Sequence, residues 1–166
     1  IAVDGEFLDT DFFVYREDAD VAWRAQLLGW KCIYTPLACG YHVRSVLPGI
    51  RRALPADINM HSVKNRFLMR IKNITPSVYW RNFLSITFRD ATVLVCCVAR
   101  EQSSLRAFPF LVKNFGRFLE KRRKIMQRRR VSDELRDRVG GDGDAPVAGD
   151  ARDDGAIHVG IIAGPA

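Results

Sequence analysis

Three carboxylates within four positions, Glu17, Asp18 and Asp20, run directly into an apolar helical pattern. Like charges this close repel, so the fold must place them where something offsets the cost. Val21, Ala25 and Leu28 recur at helical spacing, with Ala22 and Leu27 widening the face, which predicts a helix from Asp18 or Ala19 to Leu28. Gly29 then stands where a C′ residue turns to positive φ. Two readings of the acids follow. In one, Asp18 or Asp20 caps the helix and the acids complement its positive end; helix-start frequencies taken alone favour this reading. In the other, a carboxylate fixed at a helix N-terminus is a positioned general base. Arg24 lies four residues after Asp20, the spacing of a surface ion pair worth a few tenths of a kcal/mol.

Charge is segmental along the 166 residues. Residues 1–43 carry a net −4, 44–99 carry +7, 100–138 carry +8 and 139–166 carry −4. This asymmetry suggests an acidic functional region, a basic middle that meets phosphate or a membrane surface, and an acidic tail. Cys32, Cys39, Cys96 and Cys97 lack C-x-x-C spacing and read as small buried hydrophobes in a reducing compartment. The length suffices for one domain with a core.

Residues 1–14 read as a loop and a short helical turn with Phe7, Leu8, Phe12 and Phe13 facing inward. Lys31–Tyr34 reads as a strand stopped by Thr35-Pro36, and Ala38–Val43 as a second extended segment ending near His42. Residues 44–60, with two prolines and a glycine, read as a long loop in which Arg44, Arg51 and Arg52 can meet phosphate or simply face solvent. His61–Asn73 is a basic amphipathic helix with Val63, Phe67, Leu68 and Ile71 on its apolar side, ended by Thr75-Pro76. From Tyr79 to Ala99 the chain is mostly apolar, but its uncharged run, 91–99, is nine residues. A spanning helix needs roughly 20, so an interfacial or buried helix fits better. A further amphipathic pattern runs from Leu105 to Leu119, with Pro109 near its first turn. The basic cluster from Lys121 to Arg130 suits an anionic surface, and Ser132 suits an N-cap after it. The Gly/Asp/Ala stretch from Gly140 is too poor in large apolar residues to fold, although Ile157–Ile162 forms a small apolar patch.

The order of these segments resembles the second half of the catalytic domain of family 2 glycosyltransferases, most closely the bacterial rhamnosyltransferase-like members. The residues that carry it are Gly5-Glu6-Phe7-Leu8-Asp9-Thr10-Asp11-Phe12-Phe13, then Glu17-Asp18-Ala19-Asp20 with Arg24, Gly29, Tyr34-Thr35-Pro36, Tyr41-His42, Asn65-Arg66 and Lys72-Asn73. The resemblance covers residues 1 to about 138. It implies an α/β fold: the C-terminal half of a GT-A (Rossmann-like) domain, followed by amphipathic α-helices and a disordered tail. The implied division is 1–60 for the acceptor side of an incomplete catalytic domain, 61–138 for a basic helical region and 139–166 for the tail. The chain, which opens inside a motif, reads as a C-terminal fragment whose donor-binding half and metal-binding D-x-D lie upstream. Asp9-Thr10-Asp11 has that spacing but falls in the family's acidic loop, and is not read as the metal site.

The resemblance further implies transfer of a sugar, rhamnose among the candidates, from a nucleotide-sugar donor to a glycan or lipid-linked acceptor, with inversion. Asp18 would be the general base, Glu17, Trp23 and Arg24 acceptor-binding residues, and Arg44 a contact of the donor diphosphate. His42, 24 positions after Asp18, would help hold Mg²⁺ or Mn²⁺ together with upstream residues; neutral imidazole suits a divalent cation. The helices would hold the enzyme peripherally on an anionic membrane, on the cytoplasmic face of the plasma membrane. Nucleic acid is not expected as a partner, since no zinc spacing, RNP motif or helix-turn-helix pattern accompanies the basic charge. The rival reading is a non-catalytic basic module for membranes or nucleic acid, built on 61–138.

Overall fold

The computed structural model of the chain describes residues 1–41, 54–132 and 156–163, and of 32–41 and 156–163 the backbone alone. After an irregular segment over residues 1–16, helix α1 (Glu17–Leu27) leads to strand β1 (Lys31–Tyr41). Helices α2 (Ala56–Asn73), α3 (Pro76–Arg81) and α4 (Phe83–Arg100) follow. A 3₁₀ turn (Gln102–Arg106), α5 (Ala107–Lys113), α6 (Phe115–Gln127) and strand β2 (Ala156–Ala163) complete the order.

This corrects the α/β expectation of a Rossmann-like half-domain. Helices dominate the described residues. Their sheet is the two-stranded antiparallel pair β1–β2. A doubly wound sheet requires parallel strands joined through crossover helices, whereas between residues 54 and 132 helix follows helix with no strand between. The disordered-tail expectation changes with it, because Ala156–Ala163 is a strand paired to β1, with Lys31 opposite Ala163 and Tyr41 opposite Ala156. The β-branched residues Ile157, Val159, Ile161 and Ile162, the first three alternating with His158 and Gly160, give the segment strand character that its flanks lack. The register breaks between Tyr34 and Cys39. Thr35-Pro36 sits in that break, where a residue without an N–H disturbs the ladder least.

The helix starts and stops follow local chemistry. α1 ends in a Schellman arrangement: Gly29 at φ 85° turns the chain, Gly29 N–H donates to Gln26 O and Trp30 N–H to Ala25 O. Its start differs from the capping expectation. Arg16 occupies the N-cap at φ 69°, without a side-chain cap, and Glu17, Asp18 and Asp20 all lie in the first turn. Thr75 precedes α3, whose first residue, Pro76, has no N–H to leave unpaired. The single helix expected over 105–119 breaks at Asn114, whose side chain donates to Phe110 O at 2.8 Å.

Three apolar clusters hold the helices together. Phe12, Leu68, Leu111 and Phe118 join the N-terminal segment to α2, α5 and α6. Val3, Leu27 and Ile125, with Trp23 and Met126 against them, join α1 to α6. Val63, Cys97 and Ala107, with Val93 and Phe67 alongside, tie α4 to α2 and α5. Of the four N-terminal apolar residues expected inside, Phe12 is buried, whereas Phe7, Leu8 and Phe13 are exposed. Cys97 is buried and Cys96 exposed, neither in a disulfide.

Candidate active site

The acidic N-terminal segment and the basic helices meet in a buried chain of alternating charges. Asp20 is fully buried and accepts from Arg24 Nε at 2.8 Å, Lys72 Nζ at 3.0 and 3.1 Å, and Asn73 Nδ2 at 2.7 Å. Lys72 also donates to Asp9, and its ammonium stands 4.8 Å over the Phe12 ring. The other Asp9 oxygen accepts from Lys121 at 2.7 Å, and Lys121 reaches on to Asp11 at 2.8 Å. Arg117 closes the series on Asp11. α1, α2, α6 and the loop before α1 are thereby clamped by side chains that α1, α2 and α6 present to one point.

Each charged group of the network finds a partner of opposite sign, while Asn73 Oδ1 is buried without a hydrogen bond. Burial alone would raise the Asp9 carboxyl; the Lys72 charge and the hydrogen bonds from Lys121 and Lys72 outweigh it and hold the group at about 2. Burial would lower the Lys121 ammonium, but its bonds to Asp11 and Asp9 prevail and raise it. Lys64 lies at the margin, donating to Asp11 O at 2.5 Å and meeting His61 Nδ1 at 2.9 Å. There burial wins over the attraction of Asp11 and Asp9, and Lys64 drops to about 8.

The expected site residues divide sharply. Asp18 is exposed, with one oxygen accepting Ala19 N–H at 2.7 Å. Glu17 is half-buried, and its Oε2 is enclosed without a hydrogen-bond partner. Arg24, 1 % exposed, gives Nε to Asp20, one amino group to Ile1 O and the other to Phe7 O at 2.7 Å. It ties the N-terminal segment to α1 from within, so the Asp20–Arg24 pair that spacing suggested forms in the interior and not on the surface. Trp23 is half-buried between α1 and α6, against the Val3, Leu27 and Ile125 cluster. His42 and Arg44, with Arg51 and Arg52, lie outside the described residues, as do residues 133–155.

What fixes Asp18 is a turn of unusual backbone. Phe13, Tyr15 and Arg16 have φ of 63°, 67° and 69°, a region that costs an L-residue about 1 kcal/mol or more. Asn65 of α2 holds this turn: its amide nitrogen faces Phe12 O at 2.9 Å, Val14 O at 2.5 Å and Tyr15 O at 2.8 Å. Asn65 is itself fully buried. Strain stored in a loop and secured by a buried side chain is a frequent feature of functional sites.

Sequence reasoning did not single out Asp9, Asp11, Lys64 or Lys121 as members of one cluster. One signal was present: a −4 segment and a +8 segment in one chain are candidates to neutralise each other before any outside partner does. Among the described residues, no three His, Cys, Asp or Glu side chains are grouped to hold a metal ion. His42, expected to help hold Mg²⁺ or Mn²⁺, lies outside the described residues. Comparison with protein-family models, with curated proteins and with solved structures gives no match.

Proposed function

We propose that the chain forms the acceptor side of a sugar-transfer site of the family 2 glycosyltransferase type, with Asp18 as general base. The observation that carries this reading is the contrast within one helical turn. Asp20 is wholly spent inside the molecule, while Asp18 is exposed and carries a single backbone contact. Its position is nevertheless fixed by the Asn65-held turn. A base must be held in place and yet reach solvent-borne substrate.

In the reaction, Asp18 takes the proton from an acceptor hydroxyl as that oxygen attacks the anomeric carbon of a nucleotide sugar. The bond to the nucleoside diphosphate breaks, and the sugar is delivered with inversion. Glu17, half-buried beside Asp18, shapes the acceptor pocket. The acceptor is a glycan or lipid-linked glycan, met at the cytoplasmic face of the plasma membrane. No helix among the described residues is long and apolar enough to cross a membrane; the contact proposed is a peripheral one. Asp18→Asn in the active enzyme is expected to lower kcat by about 10² to 10⁴ with donor affinity retained. Near-normal turnover would remove Asp18 from the mechanism.

The rival, a non-catalytic basic module, is weakened by where the basic residues go. Lys121 is engaged by Asp9 and Asp11, Arg122 by Ile71 O, Lys124 by Asp4 and Arg128 by Ala2 O. Much of the charge that suggested an anionic partner is used within the fold.

A further inference from the structure

The cluster at 121–130 being largely occupied, a different surface stands out. α4 packs inward through Val93 and Cys97, and Asp90 pairs with Arg70 of α2 at 2.6 Å. The opposite stripe of the same helix is Leu84, Phe88, Ala91, Val95 and Val98, at helical spacing. Leu84 is 81 % exposed, Phe88 78 % and Val95 64 %. The apolar surface continues through the mutually packed Trp80, Tyr79 and Phe83, with ring centroids 5.4–5.9 Å apart. Beyond Trp80 it enters a groove of about 260 Å³ between α3 and α6, lined by Ile71, Ile74, Phe115 and Leu119 among others. An exposed apolar surface of this extent marks an interaction site.

Beside it lies a concentration of arginines. Arg66 and Arg70 are one turn apart on α2, and Arg89 adjoins Asp90, the partner of Arg70. Arg16 is brought in by Asn65, the neighbour of Arg66, which holds Tyr15 O. The guanidinium groups feel one another: burial first, then Arg89, Arg16 and Arg70, depress the Arg66 pKa, with Asp90 opposing. Arg16, Arg66 and Arg89 have no carboxylate partner among the described residues.

We infer that the α3–α4 face, with Arg16, Arg66, Arg70 and Arg89 at its margin, docks on an anionic phospholipid surface. The apolar stripe enters the interface while the arginines meet the lipid phosphates. Three observations select this occupant. The 18-residue α4 is about 27 Å long, short of the roughly 30 Å hydrocarbon core, and carries Arg89 and Asp90 at its middle. Such a helix lies in the interface and does not cross it. The margin is cationic, complementary to phosphate. A second copy docking through the same face would bring one arginine set toward the other, because a two-fold contact opposes a patch to itself.

The inference rests on the membrane-side part of the proposed function and not on the transfer chemistry. Its test is co-sedimentation of the whole chain with vesicles of phosphatidylcholine alone or mixed with phosphatidylglycerol. Strong preference for the mixed vesicles is expected. Arg66→Gln with Arg89→Gln should weaken binding about 30-fold, at roughly 1 kcal/mol per arginine. Leu84→Gln with Phe88→Gln should weaken it at least about tenfold; both sites are exposed, and circular dichroism should be unchanged. Arg123→Gln, on the exposed side of α6, should lose much less. A larger loss for Arg123→Gln than for the α4 pair would overturn the assignment, placing the contact on α6. Release by millimolar inorganic pyrophosphate, with the Leu84/Phe88 variant binding like the parent, would also overturn it and make the arginines a site for free diphosphate. So would a lipid-free dimer that the Leu84/Phe88 variant abolishes. Asp18→Asn should bind vesicles like the parent, so loss of transfer and loss of docking are read separately.

Discussion

The buried junction of α1, α2 and α6 and the exposed face of α3 and α4 invert the usual distribution of residue types. The first places two aspartates, Asp9 and Asp20, with Lys72, Lys121 and Arg24 in the interior. The second leaves Trp80, Leu84, Phe88 and Val95 in solvent. The difference teaches where each region's stability and purpose lie. Buried charges are tolerated only when each finds its partners, and a fully connected set fixes one geometry. Exposed apolar groups contribute little to the fold, so their presence points to a surface met elsewhere. The junction carries the α2 side chain, Asn65, that holds the turn ahead of Asp18; the outer face is the one proposed to meet lipid.

The largest expected effect breaks the junction. Asp20→Ala leaves Arg24 and Lys72 buried without their shared carboxylate, and should cost about 3–5 kcal/mol in urea unfolding. Asn65→Ala comes next. It strips the donor from the Phe12, Val14 and Tyr15 carbonyls, at about 1–3 kcal/mol, and releases the positive-φ turn ahead of Asp18. Its loss should therefore appear in kcat as well as in stability.

Two pH effects sharpen the same contrast. The folded Asp9 pKa of about 2 lies below the ordinary 3.8, so its stabilisation is complete above the ordinary value and lost as pH falls through about 2. The urea midpoint should drop over that interval, and less so in Asp9→Asn. Lys64 has the opposite sense. Its folded value of about 8 lies below the ordinary 10.5, so the unfolded chain holds more protons between them and stability rises with pH over that window. Lys64→Met should flatten the rise. The smallest effect belongs to the outer face: Leu84→Gln should alter stability by no more than about 0.5 kcal/mol.

Much of this was legible in the sequence, but unevenly. Local signals were reliable because they act locally: Gly29 turns the chain after α1, Thr75-Pro76 separates α2 from α3, and the 3.6-residue period marks the helices. The α/β expectation rested on the resemblance, and the sequence could not correct it, because a short strand after a helix suits both a parallel sheet and the antiparallel ribbon that Lys31–Tyr41 makes with Ala156–Ala163. That pairing spans more than a hundred residues, and periodicity carries no information about a partner so far away. Lys64 and Lys72 lie off the apolar stripe that the sequence marks on α2. They are buried because acids from residues 9–20 arrive opposite them, a fact set by tertiary packing. The Asp18 position was visible as a charge cluster; the Asn65 clamp that fixes it, at a separation of about fifty residues, was not.

Amide hydrogen exchange of the chain, with and without phosphatidylglycerol-containing vesicles, tests the division most directly. The amides of α1, α2 and α6 should exchange slowly and alike in both conditions, because the buried charge network closes them together. Those of α3 and the first half of α4 should exchange faster without lipid and slow markedly with it. Equal exchange of α4 in both conditions, or lipid protection appearing on α6 instead, would contradict the account.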